Sequence, residues 1–186
     1  QIQHREKVIV VKPAMAGGPP VFGGDAGDIH DKVIDRMFAV LEGDFSPAYM
    51  DTVSLTMLEE ARAHYEQLGF RANNIHSIGE HTSIIATRVG TVKTSTLALA
   101  LRSEGLSVEQ HDGFLLVEAG DETPDLQTVL THIRSGEPVD LFAGAGNFMS
   151  EKFHPYLSKP LLELDAASSK LVPQILPTLV ERIIQA

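Results

Sequence analysis

Two glycine-rich segments, and the polar residues beside them, are where this sequence could do chemistry. The first spans residues 13–27 and ends just before Asp28 and His30. Glycines let a backbone approach a ligand closely, and the N–H groups that open a helix attract anions. A histidine titrates in the range that suits acid–base catalysis. We therefore predict that Gly17 and Gly18 contact a small nucleotide-like or anionic ligand, with Asp28 and His30 as the acid–base candidates.

The second glycine-rich segment lies within residues 138–165, whose sequence is PVDLFAGAGNFMSEKFHPYLSKPLLELD. The pattern predicts a buried strand over 139–142, a turn of small residues, a short helix, and a second apolar strand that ends on acidic residues. That order is typical of a nucleotide-binding crossover, in which a carboxylate pairs with a ribose diol. The candidate cofactor-binding residues here are Gly144, Gly146, Asn147 and Asp165.

The stretch VDLFAGAGNF at 139–148 resembles the first motif of S-adenosylmethionine-dependent methyltransferases. In that family a strand runs into a glycine-rich turn against the cofactor, and an acid at the end of the next strand binds the ribose hydroxyls. The resemblance implies an adenosyl-cofactor-dependent transferase, with Asp165 or Glu163 as the acid. Met149 stands where the third glycine of the pattern would be. The alternative is a tight strand–turn–helix that packs without a cofactor.

Three further patterns are incomplete matches to known sites. Asp28-x-His30 resembles the DxHxxG signature of cobalamin-binding domains, but Val33 stands at the position of the glycine. The stretch VGTVKTST at 89–96 resembles a P-loop in which valine replaces the glycine before the lysine, so we reject ATP hydrolysis. His76 and His81 lack the spacing of a helical zinc pair. We predict no metal site, and a metal-dependent hydrolase that uses these two histidines is a third, weaker hypothesis.

Composition excludes several classes of function. The chain has 186 residues, 43% of them hydrophobic, and a formal net charge of −10. Nucleic acid and anionic membranes are poor partners for such a charge. The absence of cysteine from the sequence excludes disulfides, thiolate nucleophiles and Cys-based metal sites. No apolar run reaches the ~20 residues of a membrane span. We therefore expect a cytoplasmic, soluble protein with a small-molecule ligand.

The sequence predicts short apolar strands that alternate with amphipathic helices along the chain. We predict strands at Lys7–Lys12 and 83–87, a hairpin around Asp112-Gly113, and helices over 28–43, 54–68, 94–103, from Thr123 and from Ser168 or Ser169 to Ala186. Asp28 is expected to cap the first of these helices. The alternation predicts a single α/β domain over 1–186, a Rossmann-like three-layer sandwich with a largely parallel sheet and helices on both faces.

This fold class sets where the ligand would bind. In open parallel sheets ligands lie at the carboxyl ends of the strands. That rule would bring residues 13–31 and 143–147 to one edge, as the site of a soluble enzyme or enzyme subunit. The alternative function is a non-catalytic binding or assembly module that acts through protein–protein contacts.

The C-terminal helix predicts self-association. Its apolar residues, which include Leu179 and Ile183, fall on more than one face, and Pro177 is expected to kink it. A helix that lies on the sheet of a monomer needs only one apolar stripe. We therefore predict a homo-oligomer, most simply a twofold dimer through this helix.

Overall fold

A computed structural model describes residues 2–3, 8–9, 27–43, 45–143, 145 and 153–185. Its main sheet has four strands in the order β3-β4-β6-β5, and every neighbouring pair is antiparallel. These strands are β3 (Ile75–Ser77), β4 (Thr82–Ala86), β5 (Ser107–His111) and β6 (Phe114–Glu118). Two short strands, β1 (Ile2–Gln3) and β2 (Val8–Ile9), form a separate antiparallel pair.

Six helices belong to the described part of the chain. They are α1 (Asp31–Glu42), α2 (Thr52–Gln67), α3 (Thr91–Ser103), α4 (Leu126–Ser135), α5 (Lys159–Ser169) and α6 (Leu176–Gln185). Single turns of 3₁₀ helix lie at His154–Tyr156 and Pro173–Ile175. Asp51 caps α2 and Asp125 caps α4, each by accepting a hydrogen bond from the N–H three residues on. None of these helices is long and apolar enough to cross a membrane.

The prediction of a Rossmann-like three-layer sandwich with a largely parallel sheet is wrong. In the main sheet, the alternation of strand and helix that suggested a parallel sheet is the order β4, α3, β5, in which α3 connects the two strands. These two strands do not pair, because β6 lies between them and is antiparallel to both. Hairpins make the remaining connections, including the predicted one at Asp112-Gly113, where Gly113 has a φ of +77°. Parallel neighbours would have needed a crossover at each of these points.

The predicted nucleotide-binding crossover within 138–165 is also wrong. Residues 141–143 form a turn rather than the end of a buried strand. Asp165 does not end a strand either, since it lies inside α5. The leucine-rich run before it becomes helical behind Pro160, which occupies the first turn, where no N–H is needed. Gly144, Gly146 and Asn147 lie outside the described residues. The methyltransferase resemblance thus loses both its strand and the position of its acid.

One face of the main sheet is sealed by α3, α4 and α6. Ile85, Leu115 and Val117 point to this face, and each is no more than 1% exposed. Their neighbours in the buried cluster are all aliphatic, and they come from the sheet, the three helices and the segments that join them. We call this the sealed face. Close packing of this kind gives a domain most of its stability.

Helix α6 packs on the sealed face, so its apolar residues are buried within the chain rather than exposed for self-association as predicted. Leu179 and Ile183 are 5% and 1% exposed within the single chain, so they are not free to form a subunit contact. Pro177 does not kink the helix, because it lies in the first turn of α6, and the break falls earlier, at the 3₁₀ turn. The argument for a homo-oligomer through this helix therefore has no basis.

The opposite face of the sheet is covered by α1 and part of α2, and its packing is aromatic. Phe38 of α1 lies 5.2 Å from the ring of Phe114, and Phe70 lies 5.5 Å from the same ring. Tyr65 is the single buried residue among the 16 of α2, all of which are described. We call this the open face, because α2 stands away from the strands. The candidate site lies here.

Candidate functional site

The predicted acid–base residues lie at the start of α1. His30, not Asp28, caps this helix, since its Nδ1 accepts a hydrogen bond of 3.1 Å from the N–H of Lys32. Asp28 is exposed and lies before the cap. Neither residue lines the cavities described below, and Gly17 and Gly18 lie outside the described residues. The acid–base role of Asp28 and His30 stays a prediction.

The next residue, Asp31, ties α1 to the start of α3. Its carboxylate accepts a hydrogen bond of 2.7 Å from the N–H of Gly90 and forms an ion pair with Lys93. Partial burial alone would raise the pKa of Asp31, but these hydrogen bonds and the charge of Lys93 outweigh it and hold the pKa below its ordinary value. The start of α3, which lies within the P-loop-like stretch, is therefore already occupied by the Asp31 carboxylate.

Asp165 and the two histidines of the hydrolase hypothesis lie apart. Oδ2 of Asp165 is 3.4 Å from Nε2 of the buried His154. His76 packs against Phe70, whereas Nε2 of His81 lies 3.8 Å from Oδ1 of Asp121. Within the described ranges no three His, Asp or Glu side chains converge on one point. The structure therefore does not bring His76 and His81 together.

Arg88, which follows β4, has an unusual backbone. Its φ is +55°, and among the described residues it is the one non-glycine with a positive φ. An L-residue in this region costs about 1–2 kcal/mol, so surrounding contacts must compensate. Such strain is concentrated at functional positions in proteins generally. It marks the junction between β4 and α3 as a place to look for a site.

A polar network holds the Arg88 side chain over the open face. Nε donates a hydrogen bond of 2.8 Å to Oδ1 of Asn74, and Nη2 donates one of 2.8 Å to the hydroxyl of Tyr65. Nη2 also lies 2.6 Å from Oε1 of Glu42, to which the Tyr65 hydroxyl donates at 2.6 Å. The guanidinium lies 4.6 Å from the ring centroid of Phe38. The network connects α1, α2 and the β4–α3 junction.

Protonation within this network is well defined. Burial alone would raise the pKa of Glu42, but hydrogen bonds from Arg88 and Tyr65 and the charge of Arg88 hold it below its ordinary value. Burial, and next the hydrogen bond to Glu42, raise the pKa of the Tyr65 hydroxyl. At neutral pH the carboxylate is therefore ionised and the phenol is not. The opposite charges of Arg88 and Glu42 balance each other.

A cavity of about 580 Å³ lies between α2 and the open face, in front of this network. Tyr65 and Phe70 belong to both the cavity and the polar network. They line the cavity, and the Tyr65 hydroxyl and the Phe70 carbonyl each accept a hydrogen bond from Arg88. Its walls are formed by Leu41, Ala61, His64, Tyr65, Leu68, Phe70, Ile78, Ile84, His111, Phe114 and Leu116. Leu68 and Ile78 are 39% and 50% exposed, so the cavity opens to solvent beside them.

The chemistry of the lining is apolar and aromatic. Neither lysine, arginine nor a carboxylate lines the cavity, and the lining residues with polar side chains are His64, Tyr65 and His111. His64 and His111 are exposed, and Nε2 of His111 lies 3.3 Å from Oε1 of Glu109. Aromatic rings pack best against other rings in offset or edge-to-face arrangements. The cavity can therefore hold an apolar ring, with imidazoles available for a hydrogen bond.

Sequence reasoning missed all of these residues. The periodicity of residues 54–68 predicts only that this segment is helical, and it indicates no role in a site for Tyr65. One signal was present: Arg88 is a charged residue in the otherwise uncharged stretch between Thr82 and Val92. A charge in such a stretch needs a partner, because burying it alone is costly. The sequence does not reveal which residues provide that partner.

Comparisons with protein-family models, with curated proteins and with solved structures give no match to this chain.

Proposed function

We propose that this protein binds a small, uncharged aromatic molecule in the cavity between α2 and the open face. The observation that carries the proposal is the aromatic, charge-free lining of a cavity of about 580 Å³. Small-molecule sites are typically concave and mostly apolar, with volumes of roughly 300–1,000 Å³.

The cavity is held open by polar contacts at the ends of its walls. Arg62 of α2 donates hydrogen bonds of 3.0 and 2.8 Å to the carbonyl of Val40 and one of 2.7 Å to that of Phe45. Tyr65, one turn further along, is fixed by Arg88 and Glu42. These contacts tie α2 to α1, so α2 does not depend on packing against the strands. A preformed site loses little conformational freedom when it binds.

The lining selects against charged ligands. A nucleotide or another anion would lose its hydration in this cavity without gaining a cationic partner, which is costly. An aromatic ring would instead gain burial against Phe70, Phe114 and Leu116. One or two hydrogen-bonding groups on the ligand could meet His64 or His111. The anionic ligand expected from the sequence therefore does not fit here.

The proposal is binding rather than catalysis. Two groups with shifted pKa values, Tyr65 in the cavity wall and Glu42 behind it, already pair with Arg88 and with each other. An ionised Glu42 that accepts two hydrogen bonds is a poor general base. Its role, together with Arg88, is to fix the ring of Tyr65 in the wall.

The test uses 1-naphthol, an uncharged aromatic probe, with titration calorimetry and thermal unfolding. We expect saturable binding and a rise in the unfolding midpoint, because the probe binds only the folded state. The aliphatic analogue 1-decalol should bind more weakly, since it lacks the ring that packs against aromatic side chains.

Matched variants locate the binding. Ala61 and Ala63 are both exposed on α2, but Ala61 lines the cavity and Ala63 does not. We expect Ala61→Phe to fill the cavity and weaken naphthol binding about tenfold or more, a loss of about 1.4 kcal/mol, and Ala63→Phe to leave it unchanged. Circular dichroism checks that both variants fold. Absence of naphthol binding to the wild-type protein, or equal binding by both variants, would refute the proposal.

A further inference from the structure

A second cavity, of about 270 Å³, lies where the start of α3 meets α6. Lys93 approaches it from α3, and Thr178 and Arg182 from α6, while Gln174 belongs to the 3₁₀ turn before α6. Val89, Ile175 and Leu179 form its apolar part. It therefore differs in chemistry from the cavity on the open face, which has no cationic residue.

The two cations of this cavity differ in how they are paired. Lys93 forms an ion pair with Asp31. Arg182 donates a hydrogen bond of 3.0 Å from Nη2 to the carbonyl oxygen of Thr87, and no carboxylate of the described residues pairs with it. The charges of Lys93, Asp31 and Arg182 therefore sum to one excess positive charge, in a chain whose net charge is −10.

The wall that carries Lys93 is rigid. Gly90 packs so closely against the segment before α1 that a Cβ on it would lie 2.3 Å from the carbonyl oxygen of Ile29. Thr91 forms two hydrogen bonds with Ile29. The Thr91 N–H donates to the Ile29 carbonyl at 3.0 Å, and the Thr91 hydroxyl accepts from the Ile29 N–H at 3.0 Å. Asp31 holds both Gly90 and Lys93. Because Asp31 already pairs with Lys93, Arg182 is the cation of this cavity whose charge is left for an incoming anion.

We propose that this cavity binds a small organic anion, a phosphate ester or carboxylate with a short apolar body. The anionic group contacts Arg182, because a guanidinium forms bidentate hydrogen bonds with carboxylate and phosphate oxygens. The positive charge of Lys93 lies nearby. Thr178 and Gln174 donate further hydrogen bonds. The apolar body packs against Val89, Ile175 and Leu179. The volume, just below the range typical of drug-sized ligands, favours a compact molecule.

This proposal is independent of the aromatic site, because the two cavities share no lining residue. The probes are phenyl phosphate and benzoate. Phenyl phosphate is compared with inorganic phosphate, and benzoate is compared with acetate. We expect at least one organic anion to bind about tenfold or more tightly than its counterpart, because only the former buries an apolar body. Equal binding of both members of each pair, or binding of none, would overturn the proposal.

Variants test the residues. Arg182→Gln should weaken binding of the better probe about tenfold or more, whereas Arg134→Gln should not. Arg134→Gln is the matched control, since it removes the same charge from α4. Arg134 does not line the cavity, and its Nη1 lies 3.3 Å from Oε2 of Glu181. Thr178→Val, a change of similar shape without charge, should weaken binding severalfold even if Arg182→Gln proves unstable. Raising the salt concentration to 0.5 M should weaken wild-type binding by screening. Retention of full affinity by both Arg182→Gln and Thr178→Val would refute the assignment.

Discussion

The two faces of the main sheet are built from adjacent residues of the same strands, yet they are packed in opposite ways. The sealed face is covered by three helices and holds an aliphatic cluster in which Leu115, Leu97 and Leu101 have no exposed surface. The open face has an aromatic cluster beside a cavity of about 580 Å³. The first arrangement maximises buried area, and the second leaves room for a ligand.

The difference also appears in the polar groups. On the open face a strained Arg88, an ionised Glu42 and the Tyr65 hydroxyl form a network that ties α2 to α1 and to the β4–α3 junction. On the sealed face hydrophobic contacts hold the helices directly. We infer that the sealed face supplies most of the stability and that the open face supplies the aromatic binding site.

The largest effect should come from adjacent leucines on β6. Leu115 is 0% exposed on the sealed face, whereas Leu116 lines the cavity on the open face. We expect Leu115→Ala to lower the free energy of unfolding by about 3 kcal/mol, because it leaves a void in a close-packed region. Leu116→Ala should cost only about 1 kcal/mol, since it enlarges a space that already exists.

Urea denaturation of both variants measures these values, with the wild-type protein as reference. Equal losses of stability would mean that the open face is packed as tightly as the sealed one. In that case the contrast between the faces fails.

A smaller effect should come from Arg88. Arg88→Ala leaves Oδ1 of the buried Asn74 without its donor and removes the cation that pairs with Glu42, which we expect to cost about 2 kcal/mol. Arg88→Gly loses the same contacts, but glycine adopts a φ of +55° without strain. It should therefore be more stable than Arg88→Ala by about 1 kcal/mol.

Thermal and urea unfolding of the two variants separate these contributions. If Arg88→Gly is the less stable of the two, the backbone at this junction stores no strain, and the open face has lost one of its distinguishing features.

The smallest effect should be a pH dependence that arises on the open face. The pKa of Glu42 is lower in the folded protein than its ordinary value of 4.5. The folded state therefore binds fewer protons than the unfolded state, and the stability from this group is present above pH 4.5 and lost as pH falls through the folded pKa. In Glu42→Gln, the free energy of unfolding should fall less steeply with acidification than in the wild type.

The control is Glu59→Gln, which removes a carboxylate from an exposed position of α2. Urea denaturation at a series of pH values below neutrality gives the slopes. Identical slopes for wild type and Glu42→Gln would show that the network does not depend on an ionised Glu42.

Local features of the fold were predictable from the sequence, because short-range chemistry determines them. The Asp112-Gly113 dipeptide correctly predicted the β5–β6 hairpin, since glycine adopts the left-handed φ that the turn requires. The apolar run at 83–87 predicted β4, and the helical periodicity at 54–68 predicted α2. The bounds of these elements differ from the prediction by only a few residues.

The sheet order and the site were not predictable, because both depend on contacts between residues distant in sequence. Nothing local indicates that β6 inserts between β4 and β5. The leucines before Asp165 suit a strand as well as a helix, and only the tertiary environment selects the helix. The cavity depends on the distance between α2 and the sheet, which is fixed by bonds such as Arg62 to the Val40 carbonyl, separated by 22 positions.

The most direct test of the central claim, that the aromatic ligand binds on the open face and not within the sealed cluster, is a methyl NMR titration with 1-naphthol. We expect saturable shifts for Ile84 and Leu116, which line the cavity, and none for Leu115 or Leu97, which lie in the sealed cluster. Shifts confined to Leu115 and Leu97, or no saturable shift at Ile84 and Leu116, would contradict it.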